Sequence, residues 1–214
     1  MKGGCNFSRP AFLAALLALL SCSPDYQPGL PGNEAQPESG ATRLESATFA
    51  GGCFWCTEAD FEKVPGVKSA VSGYTGGTSL NPTYEQVSAG GTGHYEAVRI
   101  TWDPARLSYA QLVDYYFRTV DPTDAEGQFC DRGDSYRTAI FVAGDAQRRI
   151  AEAEKKEVEA ALPWRVVTEI LPAGPFTPAE DYHQDYHRRN KLKYGFYRSR
   201  CGRDTRLKEI WGGR

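Results

Sequence analysis

The stretch ESATFAGGCFWCTEADFEK, residues 45–63, sets the frame for everything around it. Glu45 to Ala50 reads as a short strand, and Trp55 to Lys63 reads as a helix. Between them Gly51 and Gly52 allow a sharp turn and leave Cys53 at the seam. A thiol there sits at a helix N-terminus, where unpaired N–H groups and the positive end of the dipole favour thiolate over thiol. Cys53 is therefore the candidate nucleophile. Phe54 and Trp55 lie beside it as two large aromatic surfaces, so the expected substrate carries a small apolar group. Cys56 completes a CxxC spacing, from which a second thiol can attack an oxidised or modified first one. A pair of buried structural cysteines is the bland alternative. Zinc is disfavoured, because no second CxxC or Cys/His pair stands at ligand spacing.

Beyond this unit, strand-like runs cover Val67 to Tyr74 and Tyr95 to Trp102, a helix Tyr109 to Thr119, and a strand Tyr136 to Val142. The order β-α-β-β-α-β predicts an α+β fold with a split, ferredoxin-like two-layer core. Ser108 followed by Gln111 is a capping-box signature for the second helix. Asp145 is expected to cap a third helix that ends at Pro163, and Arg165 to Leu171 reads as a further strand.

The chain has 214 residues, 41% of them hydrophobic, enough for one domain with appendages. A formal net charge of −2 gives no general attraction to nucleic acid. Residues 1–22 read as an export signal: Lys2 and Arg9 precede the apolar run Ala11 to Leu20, which is too short to span a bilayer. The ending Leu19-Leu20-Ser21-Cys22 resembles a bacterial lipoprotein signal, which would leave Cys22 as a lipidated first residue. Simple secretory cleavage nearby is the alternative. Residues 23–43, with Pro24, Pro28, Pro31 and Pro37, read as a flexible tether to a catalytic domain at 44–190 and a basic C-terminal extension at 191–214. Export would place the protein in the periplasm or cell envelope, where the pairing of Cys53, Cys56, Cys130 and Cys201 is open.

An attack on oxidised sulfur needs a proton for the departing oxygen, and Glu96, at the start of an apolar strand, is the candidate acid. A partly buried carboxyl among rings stays protonated near neutrality. The competing reading is a solvent-facing strand residue. His183 and His187 at i,i+4 among Glu180 and Asp181 are a weak metal signal without His-Glu-x-x-His, and no metal is assigned.

Several long motifs, in order, carry a resemblance: Gly52-Cys53-Phe54-Trp55, Gly73 to Gly77, Asn81-Pro82-Thr83-Tyr84, Gly93 to Ile100 and Asp131 to Arg137. Over roughly residues 46 to 190 the chain resembles peptide methionine sulfoxide reductase A. The resemblance implies reduction of the S epimer of methionine sulfoxide, free or in oxidised proteins and peptides, with no bound cofactor or metal. It assigns Cys53 as nucleophile and sulfenic acid carrier, and Glu96 as the acid on the sulfoxide oxygen. Tyr84 and Tyr136 would hydrogen-bond that oxygen, Phe54 and Trp55 would hold the methyl group, and Asp131 would shape the site. A disulfide reduced by a thioredoxin-like donor completes the cycle in a monomer. The resolving cysteine departs from the family's commoner glycine-rich tail: Cys56 is favoured narrowly, then Cys201, whose flexible tail could reach the site, then Cys130. A general thiol–disulfide oxidoreductase, which would have no need of Glu96, and a tethered binding protein with a structural disulfide are the rival classes.

Overall fold

The computed structural model describes residues 43–212; the expected signal, Cys22 and nearly all of the tether lie outside them. In chain order the elements are β1 (Glu45–Gly51), α1 (Phe54–Phe61), β2 (Val67–Thr75), α2 (Tyr84–Ser88), β3 (Tyr95–Trp102) and α3 (Tyr109–Arg118). A short ribbon follows, β4 (Gly127–Gln128) with β5 (Asp131–Arg132), and then β6 (Thr138–Val142) and α4 (Asp145–Ala161). The chain finishes with β7 (Glu169–Pro172), β8 (Phe176–Pro178), α5 (Tyr186–Arg189), α6 (Lys191–Arg200) and α7 (Arg203–Trp211).

The main sheet runs β7-β6-β1-β3-β2-β8. Its four inner strands, β6-β1-β3-β2, are antiparallel throughout and, with α1 and α3 as crossovers, form the expected split β-α-β-β-α-β core. β7 adds a parallel edge and β8 an antiparallel one. Strand periodicity sorts β3 into two faces: Val98, Ile100 and Trp102 join the large core that holds Phe49, Phe61 and Tyr116, while Tyr95 and Ala97 pack with Phe141 on the other side. Glu96 falls on the large-core face, which is why a carboxyl is buried there. The Ser108–Gln111 capping box is present, and a second one, Thr83 with Gln86, starts α2 and fixes Tyr84 as its first residue.

Three local expectations are corrected. Gly144, not Asp145, is the N-cap of α4, because the chain reaches the helix through a fully extended residue and Asp145 already lies in the first turn. The strand expected from Arg165 forms only from Glu169, where pairing with β6 begins. Residues 191–211 are not a loose tail: they form two helices, and Ile210 and Trp211 are buried in the main core, with Arg118 stacked over the Trp211 ring at 4.5 Å. Among the described residues no helix is long and apolar enough to cross a membrane.

Candidate active site

Gly52 makes the β1–α1 turn possible. It has φ +78°, and a Cβ there would stand 2.5 Å from Cβ of Gln128. Cys53 then caps α1 without a side-chain cap bond, and its carbonyl accepts from the Cys56 N–H at 3.0 Å. Both Cys53 and Cys56 are free thiols and buried. Cys53 faces a cavity of about 100 Å³ lined also by Phe54, Trp55, Tyr84, Glu96, Asp131, Tyr136 and Tyr197. The six side chains assigned to substrate or acid roles beside Cys53 therefore converge on one small hollow.

Glu96 is 3% exposed and accepts the Phe54 N–H at 3.0 Å. Burial pushes its carboxyl up to about 8, against the opposing pull of the Phe54 N–H, so it holds a proton at neutral pH beside Cys53. The solvent-facing reading of this residue does not hold. The cysteines differ from expectation. Burial, the Cys56 sulfur and the Glu96 charge hold the Cys53 thiol well above the ordinary range, outweighing the helix terminus. The Cys53 hydrogen bond brings Cys56 down to about 7 against the effect of burial, and the charges of Arg203 and Arg198 add to it. The two shifts run in opposite directions, so Cys56 is the more readily ionised thiol of the pair.

Trp55 is held firmly. Its ring stacks on Tyr186 at 3.8 Å, and its Nε1–H donates to His183 Nδ1 at 3.0 Å. That bond makes Nδ1 the acceptor, so a neutral His183 carries its proton on Nε2, which has no partner. Burial also lowers the pKa of this histidine, consistent with a neutral ring. His183 and His187 serve different neighbours: His187 Nε2 lies 3.1 Å from Glu62. The segment 179–185 is clamped across the site by Gln184, paired with both backbone groups of Ser72, and by Glu180, which accepts from Tyr74 at 2.9 Å and from the Tyr84 N–H at 2.9 Å.

Cys130 and Cys201 form a disulfide. On α6, Tyr197 lies one turn before Cys201, and its hydroxyl donates to Asp131, the same carboxylate that stands 3.7 Å from the Cys201 sulfur. Tyr197 thus belongs to the cavity, a placement the sequence does not reveal. A tyrosine among twelve gives no local signal, whereas its i,i+4 relation to Cys201 was visible.

A family model described as peptide methionine sulfoxide reductase matches residues 45–214. The chain belongs to the peptide methionine sulfoxide reductase A family. It is 56% identical over 178 residues to peptide methionine sulfoxide reductase MsrA 2 of Caulobacter vibrioides, covering 83% of this chain and 90% of the relative. To the MsrA of Bacillus licheniformis it is 51% identical over 174 residues, covering 80% and 96%. Methionine sulfoxide reductase A of Corynebacterium diphtheriae superposes with a TM-score of 0.63 at 35% identity, covering 74% of this chain and 78% of that one. Mxr1 of Saccharomyces cerevisiae in reduced form gives 0.67 at 29% identity, covering 71% and 88%. As a member, this peptide methionine sulfoxide reductase carries out thiol-dependent reduction of methionine (S)-sulfoxide to methionine. The match runs through α7 and so includes α6, which brings Tyr197 to the cavity and ends at Cys201.

Proposed function

We propose that Cys53 attacks the sulfoxide sulfur while protonated Glu96 delivers its proton to the oxygen, with Tyr84 and Tyr136 hydrogen-bonding that oxygen and Phe54 and Trp55 enclosing the methyl group. Asp131, fixed by Tyr197, shapes the remaining wall. The Cys53 and Cys56 sulfurs share one proton and one negative charge, so Cys53 becomes the attacking thiolate when the proton passes to Cys56. Methionine leaves, and the oxygen stays on Cys53 as a sulfenic acid. Cys56 then attacks that sulfur. A disulfide forms, and the oxygen departs as water with the Glu96 and Cys56 protons.

The observation that carries this reading is the protonated, buried Glu96 in the same small cavity as Cys53. The choice of Cys56 over Cys201 and Cys130 is supported by its free, buried thiol three residues from Cys53, whereas the other two are already joined. A thioredoxin-like dithiol donor then restores the thiols. A yeast Mxr1 complex with Trx2 is among the matching folds. The protein works as a monomer on oxidised proteins and peptides, exported by residues 1–22 to the periplasm or cell envelope and, once processed, held to the membrane through lipidated Cys22.

Incubation with separate S and R epimers of a methionine sulfoxide peptide plus dithiothreitol tests the assignment. Only the S epimer is expected to yield methionine; turnover of the R epimer alone would overturn it. The pH dependence follows from two groups. kcat/KM rises as the cysteine pair loses its first proton near pH 7 and falls as Glu96 ionises through about 8, a narrow bell that assays at substrate concentrations below KM resolve. A flat profile across pH 6 to 9 would contradict the acid role.

A further inference from the structure

Arg203 is 1% exposed, an uncommon place for a guanidinium, and the reaction above makes no use of it. It donates from Nη2 to the carbonyls of Gly51 at 2.9 Å and Thr119 at 3.0 Å, while its Nε has no hydrogen-bond partner. Its nearest carboxylate is Asp60, with Oδ2 3.9 Å from Nε. Asp60 is itself buried and lies one turn beyond Cys56 on α1. Arg198 reaches the same carboxylate at 3.0 Å. Two buried or half-buried cations thus meet one buried anion at the Cys56 side of the helix. Lys63 and Asp204 add one charge of each sign at the exposed edge and leave the balance unchanged. The cluster keeps one positive charge in excess, and an uncompensated buried charge is costly. Asp131 also feels the Arg203 charge, and Cys56, one turn before Asp60 on α1, brings a sulfur to the same side of the helix.

Resting on the reading of Cys56 as the partner of Cys53, we propose that Arg198 and Arg203 are positioning residues whose guanidiniums hold the single negative charge of the cysteine pair on the Cys56 side of α1. The other groups facing Cys56 are Cys53, Asp60, protonated Glu96 across the cavity and the Tyr194 hydroxyl, which accepts from Arg198 at 3.1 Å. Of these only Asp60 carries a full charge in the resting site, and it is negative. The Cys53 hydrogen bond is the largest aid to an anion at Cys56, and the two arginines are the only positive charges that add to it. The C-terminal helices do more than cover the domain: they charge the pair that the reaction consumes.

Ultraviolet titration of thiolate in the full chain tests this, with the Cys56→Ser variant as the reference that isolates the Cys56 contribution. The unsubstituted protein should ionise near pH 7, and the Cys56→Ser variant should lose that transition. Arg198→Gln should move it upward by about one unit, a roughly tenfold loss of thiolate at neutral pH, and Arg198→Lys should restore most of it. The acid limb of methionine formation should shift in parallel. Arg203→Lys keeps the charge, and Arg203→Gln removes it; because Arg203 bonds two buried carbonyls, circular dichroism first establishes that each is folded, and Arg198 carries the test alone if they are not. A folded Arg198→Gln whose transition and acid limb stay in place would overturn the proposal while leaving the Cys56 reading intact. A near-neutral transition that survives in Cys56→Ser would overturn both.

Discussion

Cys53→Ser is expected to lower turnover of the S epimer by about 10⁴ or more, to the background set by reductant alone. A serine hydroxyl at the α1 cap is a far weaker nucleophile than a thiolate, and it cannot carry the oxygen as a sulfenic acid. Cys56 does not substitute for it: the cavity opens onto Cys53, with Phe54 and Trp55 at its edge, and Cys56 is on the Asp60 side of the helix. The buried site tolerates the exchange of one small side chain for another, so circular dichroism should remain unchanged. Retention of more than a hundredth of the activity in a folded variant would mean that another sulfur begins the reaction.

Glu96→Gln is expected to lower kcat by about 10² to 10⁴, the range for removing a positioned acid. Glutamine keeps the volume and can still accept the Phe54 N–H, so the loss reports the proton and not the shape. The alkaline limb near pH 8 should vanish with it, because the group that ionises there is gone. A variant that is slow yet keeps the alkaline limb would move the acid role to another residue, with Tyr136 and Tyr84 the nearest alternatives.

Local periodicity carried the fold. The strand, turn and helix of residues 45–63 and the alternation of β3 were enough to order the core, because each element repeats its own period and its neighbours are sequential. The same alternation, followed one step further, puts Glu96 on the face of Val98 and Ile100 and makes its burial readable. Tyr84 and Tyr136, by contrast, came only from the family resemblance. The contributions of the C-terminal helices were not legible. Arg203 meets Gly51 across 152 residues and Trp55 meets His183 across 128, and neither pairing leaves a pattern at one place in the chain. The basic composition of residues 198–206 reads as a flexible extension, whereas Arg198 and Arg203 turn inward onto Asp60 and Arg206 onto Asp121. The ionisation of the cysteine pair is hard to read from sequence for a related reason. A helix terminus can be seen in sequence, but the burial and neighbouring charges that outweigh it come from β3, α6 and α7.

In the proposed cycle Cys53 takes the oxygen and Cys56 removes it, and one experiment bears on both halves. Protein freed of reductant is mixed with the S epimer for a single turnover, quenched with an alkylating agent, and mapped by peptide mass spectrometry alongside the methionine released. The expected result is one methionine per protein and a new disulfide between Cys53 and Cys56, with Cys130 and Cys201 never joined to either. A disulfide from Cys53 to Cys201 or Cys130, or methionine released with Cys53 still a free thiol, would contradict it.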